Sequence, residues 1–116
     1  KFSNKIDFIW FEIWHHEGRR ARHGAAMMGP DITHWHGTYE VAKHFYAKFI
    51  PELEYLVEKG MRSTSEKKQV SAALLQATID EVLNSDNHKW YLGKMSAKQQ
   101  EIRKKATADF KAQFEK

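Results

Sequence analysis

The chain has 116 residues, 41% of them hydrophobic and 13% aromatic, with a formal charge of +4 and a pI near 9.3. That length accommodates one compact domain, and the apolar share excludes wholesale disorder. The absence of cysteine excludes disulfides and thiolate chemistry, and says nothing about compartment.

Only two prolines and six glycines interrupt the sequence, and Lys, Glu, Ala, Gln and Leu are common in its second half. This favours an all-α fold, a bundle of about four helices whose long first and second members are joined by a Gly-Pro corner. The basic excess lies largely in Lys94, Lys98, Arg103, Lys104 and Lys105. Acidic residues are interspersed there and no aromatic-basic motif accompanies them, so a solvated helix face is expected rather than a nucleic-acid footprint. The apolar run from Ile6 to Trp14 is far shorter than the roughly 20 residues a membrane-spanning helix needs. Lys1 is preceded by neither an initiating Met nor a signal-like segment, which reads as a processed chain or a piece of a longer one.

Taken in order, the first predicted helix covers Ile6 to Met28. Its opening, Asp7 to Trp14, is apolar on nearly every side, so burial on several faces is expected, supplied by another domain or subunit. At His15 the composition switches to His, Glu and Arg. Gly29-Pro30 ends the helix, because Pro30 cannot donate a backbone hydrogen bond and restricts the residue before it.

Asp31 or Thr33 is the expected cap of the second helix. There Trp35, Tyr39, Ala42, Tyr46, Phe49, Leu53 and Leu56 recur in steps of four and three, which predicts one inward face. The pattern carries through Pro51, where a kink or a restart is expected, and Gly60 is the expected C-terminal cap. Ser63 and Glu66 have capping-box spacing. The third helix runs from there to about Leu83, with Val70, Leu74 and Ala77, and also Leu75, Ile79 and Val82, facing inward. Residues 84–94 read as a loop pinned by Trp90, Tyr91 and Leu92. Ser96 and Gln99 open a last helix with a narrow stripe of Ile102, Ala106, Phe110 and Phe114, weakly anchored at a periphery. No internal repeat or linker divides the chain, so a single domain over residues 1–116 is expected.

The chemistry concentrates between Trp14 and Glu40, which holds five of the seven histidines and Arg19, Arg20 and Arg22. At helical spacing His16 and His23 share a face with Glu12 and Arg19, whereas His34 and His36 point to different sides. Histidines from two helices meeting at a corner can ligate one metal centre or several; taken singly, each reads more simply as an ordinary surface histidine. A zinc-protease pattern fails, because Arg20 stands where His16-Glu17 would need its second histidine. A di-iron bundle fails too, since Glu12 to His15 is the only Glu-x-x-His. Met27 and Met28 offer thioethers but read as packing material. No nucleophile motif or Gly-rich phosphate loop is present.

The run Trp14-His-His-Glu-Gly-Arg-Arg-Ala-Arg-His-Gly-Ala-Ala-Met-Met-Gly-Pro-Asp31, continued by Thr33-His-Trp-His-Gly-Thr-Tyr-Glu40, resembles the C-terminal helical region of the octahaem cytochromes of the hydroxylamine oxidoreductase family. The resemblance covers roughly the first half of the chain. It implies a periplasmic or otherwise extracytoplasmic multihaem oxidoreductase, usually a homotrimer with a redox partner cytochrome, acting on small nitrogen compounds. In the family each haem is fixed by a Cys-x-x-Cys-His motif upstream of this region. With no cysteine, this chain cannot attach haem c itself, so the resemblance makes it the C-terminal domain of a haem-bearing protein or a separate subunit against one.

The resemblance further implies His36, then His34, as distal haem ligands, with His23 and His16 as further candidates and Arg19, Arg20 and Arg22 beside haem propionates. In the hydroxylamine-oxidising members the residue after this Pro-Asp pair is a tyrosine that crosslinks to the catalytic haem of a neighbouring subunit. Here it is Ile32, which cannot form the link. The resemblance therefore points to the non-crosslinked branch, which runs reductively on nitrite or hydroxylamine, with the catalytic haem held outside this segment. Two other readings stand beside it. One is a helical interaction module that binds a partner through Phe8 to Trp14, its histidines structural. The other is a four-helix bundle that binds zinc or non-covalent haem alone.

Overall fold

The computed structural model of the chain describes residues 2–114, and among them it is helical with no strand. The fold is all-α with four helices, as the composition implies. Helix α1 covers residues 5–26: α-helical Lys5–Phe11, a π-helical segment Glu12–Glu17, then α-helical Gly18–Ala26. Helix α2 covers residues 30–61, from Pro30–Thr33 to Ile50–Met61, and contains two more π segments, His34–Thr38 and Phe45–Phe49. Helix α3 is Glu66–Asn84 and helix α4 is Ala97–Ala112. No helix among the described residues is long and apolar enough to cross a membrane.

The chain forms two compact units, Lys1–Ile79 and Asp80–Lys116. In the first, α1 and α2 form an antiparallel hairpin. The corner between them is a Schellman turn: Gly29 N–H donates to Gly24 O at 2.8 Å and Met28 N–H to Ala25 O at 3.3 Å. That geometry requires a left-handed residue between helix and corner, and the position is filled by Met28 with φ 55°. Neither Asp31 nor Thr33 caps α2. Gly29 stands at the N-cap with Pro30 in the first turn, where a missing N–H costs nothing, and the Thr33 hydroxyl instead donates to Gly29 O at 3.0 Å.

The hairpin closes where small residues let two backbones approach. A side chain at Gly37 would stand 2.5 Å from the Ala21 Cα, and one at Gly24 would stand 2.6 Å from the Thr33 hydroxyl. Beyond this crossing Ile9 and Ile13 of α1 and Ile50 and Val57 of α2 are buried. The buried positions of α1 (Ile9, Ile13, Glu17 and Gly24) begin at steps of four, the longer step that a π turn produces.

The same wide turns displace the face predicted for α2. Trp35 and Tyr39, expected inside, are 63% and 54% exposed, while Gly37, Ile50 and Val57 are buried. Each π segment adds a residue to one turn and so rotates everything beyond it, which a search at constant helical period does not register. Pro51 stands in the first turn of the α-helical segment Ile50–Met61, which restarts directly after the π segment Phe45–Phe49, where its missing N–H is tolerated; Ile50 before it keeps helical angles of −59° and −49°. Gly60 is not the cap expected of it but lies inside α2, where its missing side chain lets Ala72 of α3 approach.

Helix α3 opens after Ser65, whose carbonyl accepts from Lys68 and Gln69, so the Ser63–Glu66 box does not form. Of its two candidate faces, the one with Ile79 is buried, together with Ala72 and Leu83. Val70 and Leu74 are 63% and 69% exposed. In the second unit, residues 85–93 form successive turns, and Trp90, Tyr91 and Leu92 stay about two-fifths exposed. The Ser96–Gln99 capping box forms as expected, with Gln99 N–H donating to Ser96 Oγ at 3.3 Å and Ser96 N–H to Gln99 Oε1 at 3.0 Å. Helix α4 buries no residue, and its stripe of Ile102, Phe110 and Phe114 is exposed.

Candidate functional site

Four of the seven histidines lie in π-helical turns: His15 and His16 in the first segment of α1, His34 and His36 in the first of α2. The two segments touch across the hairpin. Wide turns of this kind re-aim side chains away from the ordinary helical register and recur at functional sites. All four of these histidines are exposed.

On α1, His15, His16, Arg19, Arg20 and His23 line one open hollow of about 480 Å³, with Phe11 as its aromatic wall and Ile32 reaching in from α2. The Phe11 ring holds both neighbouring imidazoles, His15 stacked at 4.7 Å between centroids and His16 edge-on at 5.6 Å. The predicted set His16, Arg19 and His23 is thus brought together. Glu12, placed on the same face by ideal spacing, turns instead toward α2, where Lys48 Nζ reaches its Oε2 at 3.2 Å.

The other predicted residues stand apart from this hollow. His34 borders a separate shallow recess with Gly24, Met28, Pro30 and Thr33. His36 stands with Nδ1 4.0 Å from Glu40 Oε1, and Glu40 Oε2 accepts from Arg20 Nη1 at 3.1 Å. Arg22 lies over the Trp14 ring, 4.7 Å from its centroid. Neither Arg19 nor Arg22 makes an ion pair among the described residues, and Arg19, with no ring beneath it, keeps its fork open to an anion. No group of three or more His, Asp or Glu able to hold a metal ion occurs among the described residues.

Sequence reading missed a sheltered pair of titratable residues. Glu17 is buried to 5% exposure, and His44 Nδ1 lies 2.9 Å from its Oε1 across the hairpin. The approach is off the line of a ring N–H, so His44 Nδ1 makes no hydrogen bond to Oε1, and Glu17 Oε2 has no hydrogen-bond partner either. The signal was present in the four-residue steps from Ile9 through Ile13 to Glu17, which put an acid on the apolar face. The pair is one rung of a series along the helices: Arg20 with Glu40, Glu17 with His44, Glu12 with Lys48 and Lys5 with Glu52.

A larger hollow of about 860 Å³ lies at the open end of the hairpin, between Phe8, Pro51 and Tyr55. Its charged residues pair with one another, Lys5 with Glu52 and Lys48 with Glu12. Compared with protein-family models, curated proteins and solved structures, the chain matches none.

Proposed function

We propose that this chain is a helical part of a multihaem c-type cytochrome of the hydroxylamine oxidoreductase kind, acting reductively on nitrite or hydroxylamine. In this reading it supplies distal histidine ligands and trimer contacts, and the haem-bearing remainder of the protein, or a haem-bearing subunit, carries the chemistry in an extracytoplasmic compartment. The observation that supports it most is the concentration of exposed imidazoles in two touching π turns beside Arg19. Wide turns of this kind recur at functional sites.

The residues present fit a haem on three counts. Imidazole rings at His16, His23, His34 and His36 are exposed, each on a helix that fixes its position. The Arg19 guanidinium matches a propionate carboxylate in shape and charge. Phe8, Trp10, Trp14 and Trp35 are about half or more exposed, an apolar surface that calls for cover by a further body. When bound, haem supplies one-electron redox chemistry. The part of this chain is to hold a neutral imidazole nitrogen at a fixed place, neutralise carboxylates and exclude water with its aromatic rings. Arg20 is already paired with Glu40 and Arg22 lies over Trp14, so Arg19 is the arginine best placed for a propionate.

An absorption spectrum of the intact assembly tests this reading. Low-spin c-type haem is expected, and His36→Ala should remove one low-spin signal. An assembly without such haem sinks the proposal. The exposed Phe8, Trp10 and Trp14 also favour a second reading, a helical interaction module with structural histidines. An unchanged spectrum and midpoint potential in His36→Ala would select it.

A further inference from the structure

The Arg20, Glu40 and His36 side chains form a chain of contacts that spans both helices of the hairpin. Glu40 is the more sheltered member, its side chain 29% exposed, against 49% for Arg20 and 63% for His36. Its two oxygens are divided between two partners. Oε2 accepts from Arg20 Nη1 at 3.1 Å, and Oε1 faces His36 Nδ1 at 4.0 Å. Arg20 and His36 each neighbour a residue of the tightest helix crossing, Ala21 and Gly37, so the backbone holds both ends of the relay in register.

A histidine that ligates a metal through one nitrogen commonly gives the hydrogen on the other to a carboxylate, which fixes the tautomer and raises the basicity of the ligating atom. Resting on the haem reading above, we propose that Glu40, held in place by Arg20, is the positioning residue for His36. It draws the ring proton to Nδ1 and leaves the Nε2 lone pair facing outward. At 4.0 Å the two atoms face each other beyond hydrogen-bond reach, so the role proposed for Glu40 requires the exposed ring to approach it by about 1 Å. Nε2 has no hydrogen-bond partner among the described residues, as a ligating nitrogen requires. The arrangement also separates the two arginines by role: Arg20 serves the carboxylate behind the ligand, and Arg19 stays open toward an anion.

The relay is testable in the chain without haem. Nitrogen-15 spectra of the His36 ring, recorded above about pH 8 where an ordinary imidazole is neutral, should show the proton on Nδ1. Free imidazole side chains favour the other nitrogen, so Glu40→Ala should return His36 to the Nε2–H form. Arg20→Ala should shift it part of the way, and Glu40→Gln, whose amide oxygen still accepts, should largely retain the Nδ1–H form. A wild-type His36 protonated on Nε2, or a tautomer that ignores Glu40→Ala, overturns the proposal. In the intact assembly, Glu40→Ala should leave the haem low-spin and move one midpoint potential upward, because a ligand relieved of its carboxylate donates less charge to iron. Low-spin haem whose potentials are all unmoved overturns the positioning role alone. An assembly with no low-spin haem overturns the functional reading beneath it, whatever the tautomer.

Discussion

Glu17 and His44 face each other across the hairpin at 2.9 Å, the acid at 5% exposure and the imidazole side chain at 18%. Removing one partner leaves the other in a sheltered site without its polar neighbour, which costs about 1–3 kcal/mol. Glu17→Ala should therefore lower the urea unfolding midpoint strongly. Replacing both, Glu17→Met with His44→Leu, should restore it to within about 1 kcal/mol, since apolar packing substitutes for a desolvated pair. A single substitution that costs under about 1 kcal/mol would show that the pair is solvated in the folded chain.

The rung between Glu12 and Lys48 behaves differently. Glu12 and Lys48 are each about half exposed, and water screens such pairs to about 1 kcal/mol or less. Glu12→Gln should shift the unfolding midpoint only slightly, and added salt should erase the difference. A large, salt-independent loss would contradict this placement at the surface.

At the helix crossing, Gly37→Ala places a methyl 2.5 Å from the Ala21 Cα and 2.6 Å from its amide nitrogen. Backbone cannot move aside as a side-chain tip can, so the helices must separate, at about 1–3 kcal/mol or more. Differential scanning calorimetry should register the loss. Equal stability of the variant would mean the helices do not approach so closely.

Met28 holds φ 55° at the helix corner with 90% of its surface exposed. It loses no packing on truncation, while glycine accepts left-handed geometry without steric cost. Met28→Gly is expected to stabilise the chain by about 1 kcal/mol, read as a raised thermal midpoint. Destabilisation instead would reveal a contact made by the thioether.

The Asp7 carboxylate accepts from the Ser3 and Asn4 backbone N–H groups, both at 3.0 Å. These bonds, Ser3's first, favour its charged form and hold it below the ordinary 3.8. A depressed acid contributes stability that is fully present above the unfolded value and is lost as pH falls through the folded one. Helix content monitored from about pH 5 down to pH 2 should decline less steeply in Asp7→Asn than in the parent chain. Identical slopes would remove Asp7 from the account.

The helices were legible because their signals are local. The Gly29-Pro30 break, the Ser96–Gln99 box and the all-α composition each depend on neighbours within a few residues, and all three hold. Most inward faces were not legible. Trp35, Tyr39, Val70 and Leu74 recur at helical spacing yet lie exposed, since an apolar stripe shows where burial is possible and not which side a partner takes. The grouping of His16, Arg19 and His23 survived because one helix carries all three. His34 and His36 could be placed only as pointing apart, and the Glu17–His44 contact, 27 positions apart in the chain, left no local mark beyond a misplaced acid.

The sequence by itself determined that this chain is helical, where its long helices break, and that its imidazoles and guanidinium groups crowd around one corner. Helix propensity, proline and capping act over a turn or two, and composition needs no partner. Only the tertiary structure decided which faces meet, that three π turns rotate those faces, and that Glu40 is shared between Arg20 and His36. Those outcomes depend on how closely two backbones can approach at Gly37 and Ala21, a distance set between helices and written in neither one alone.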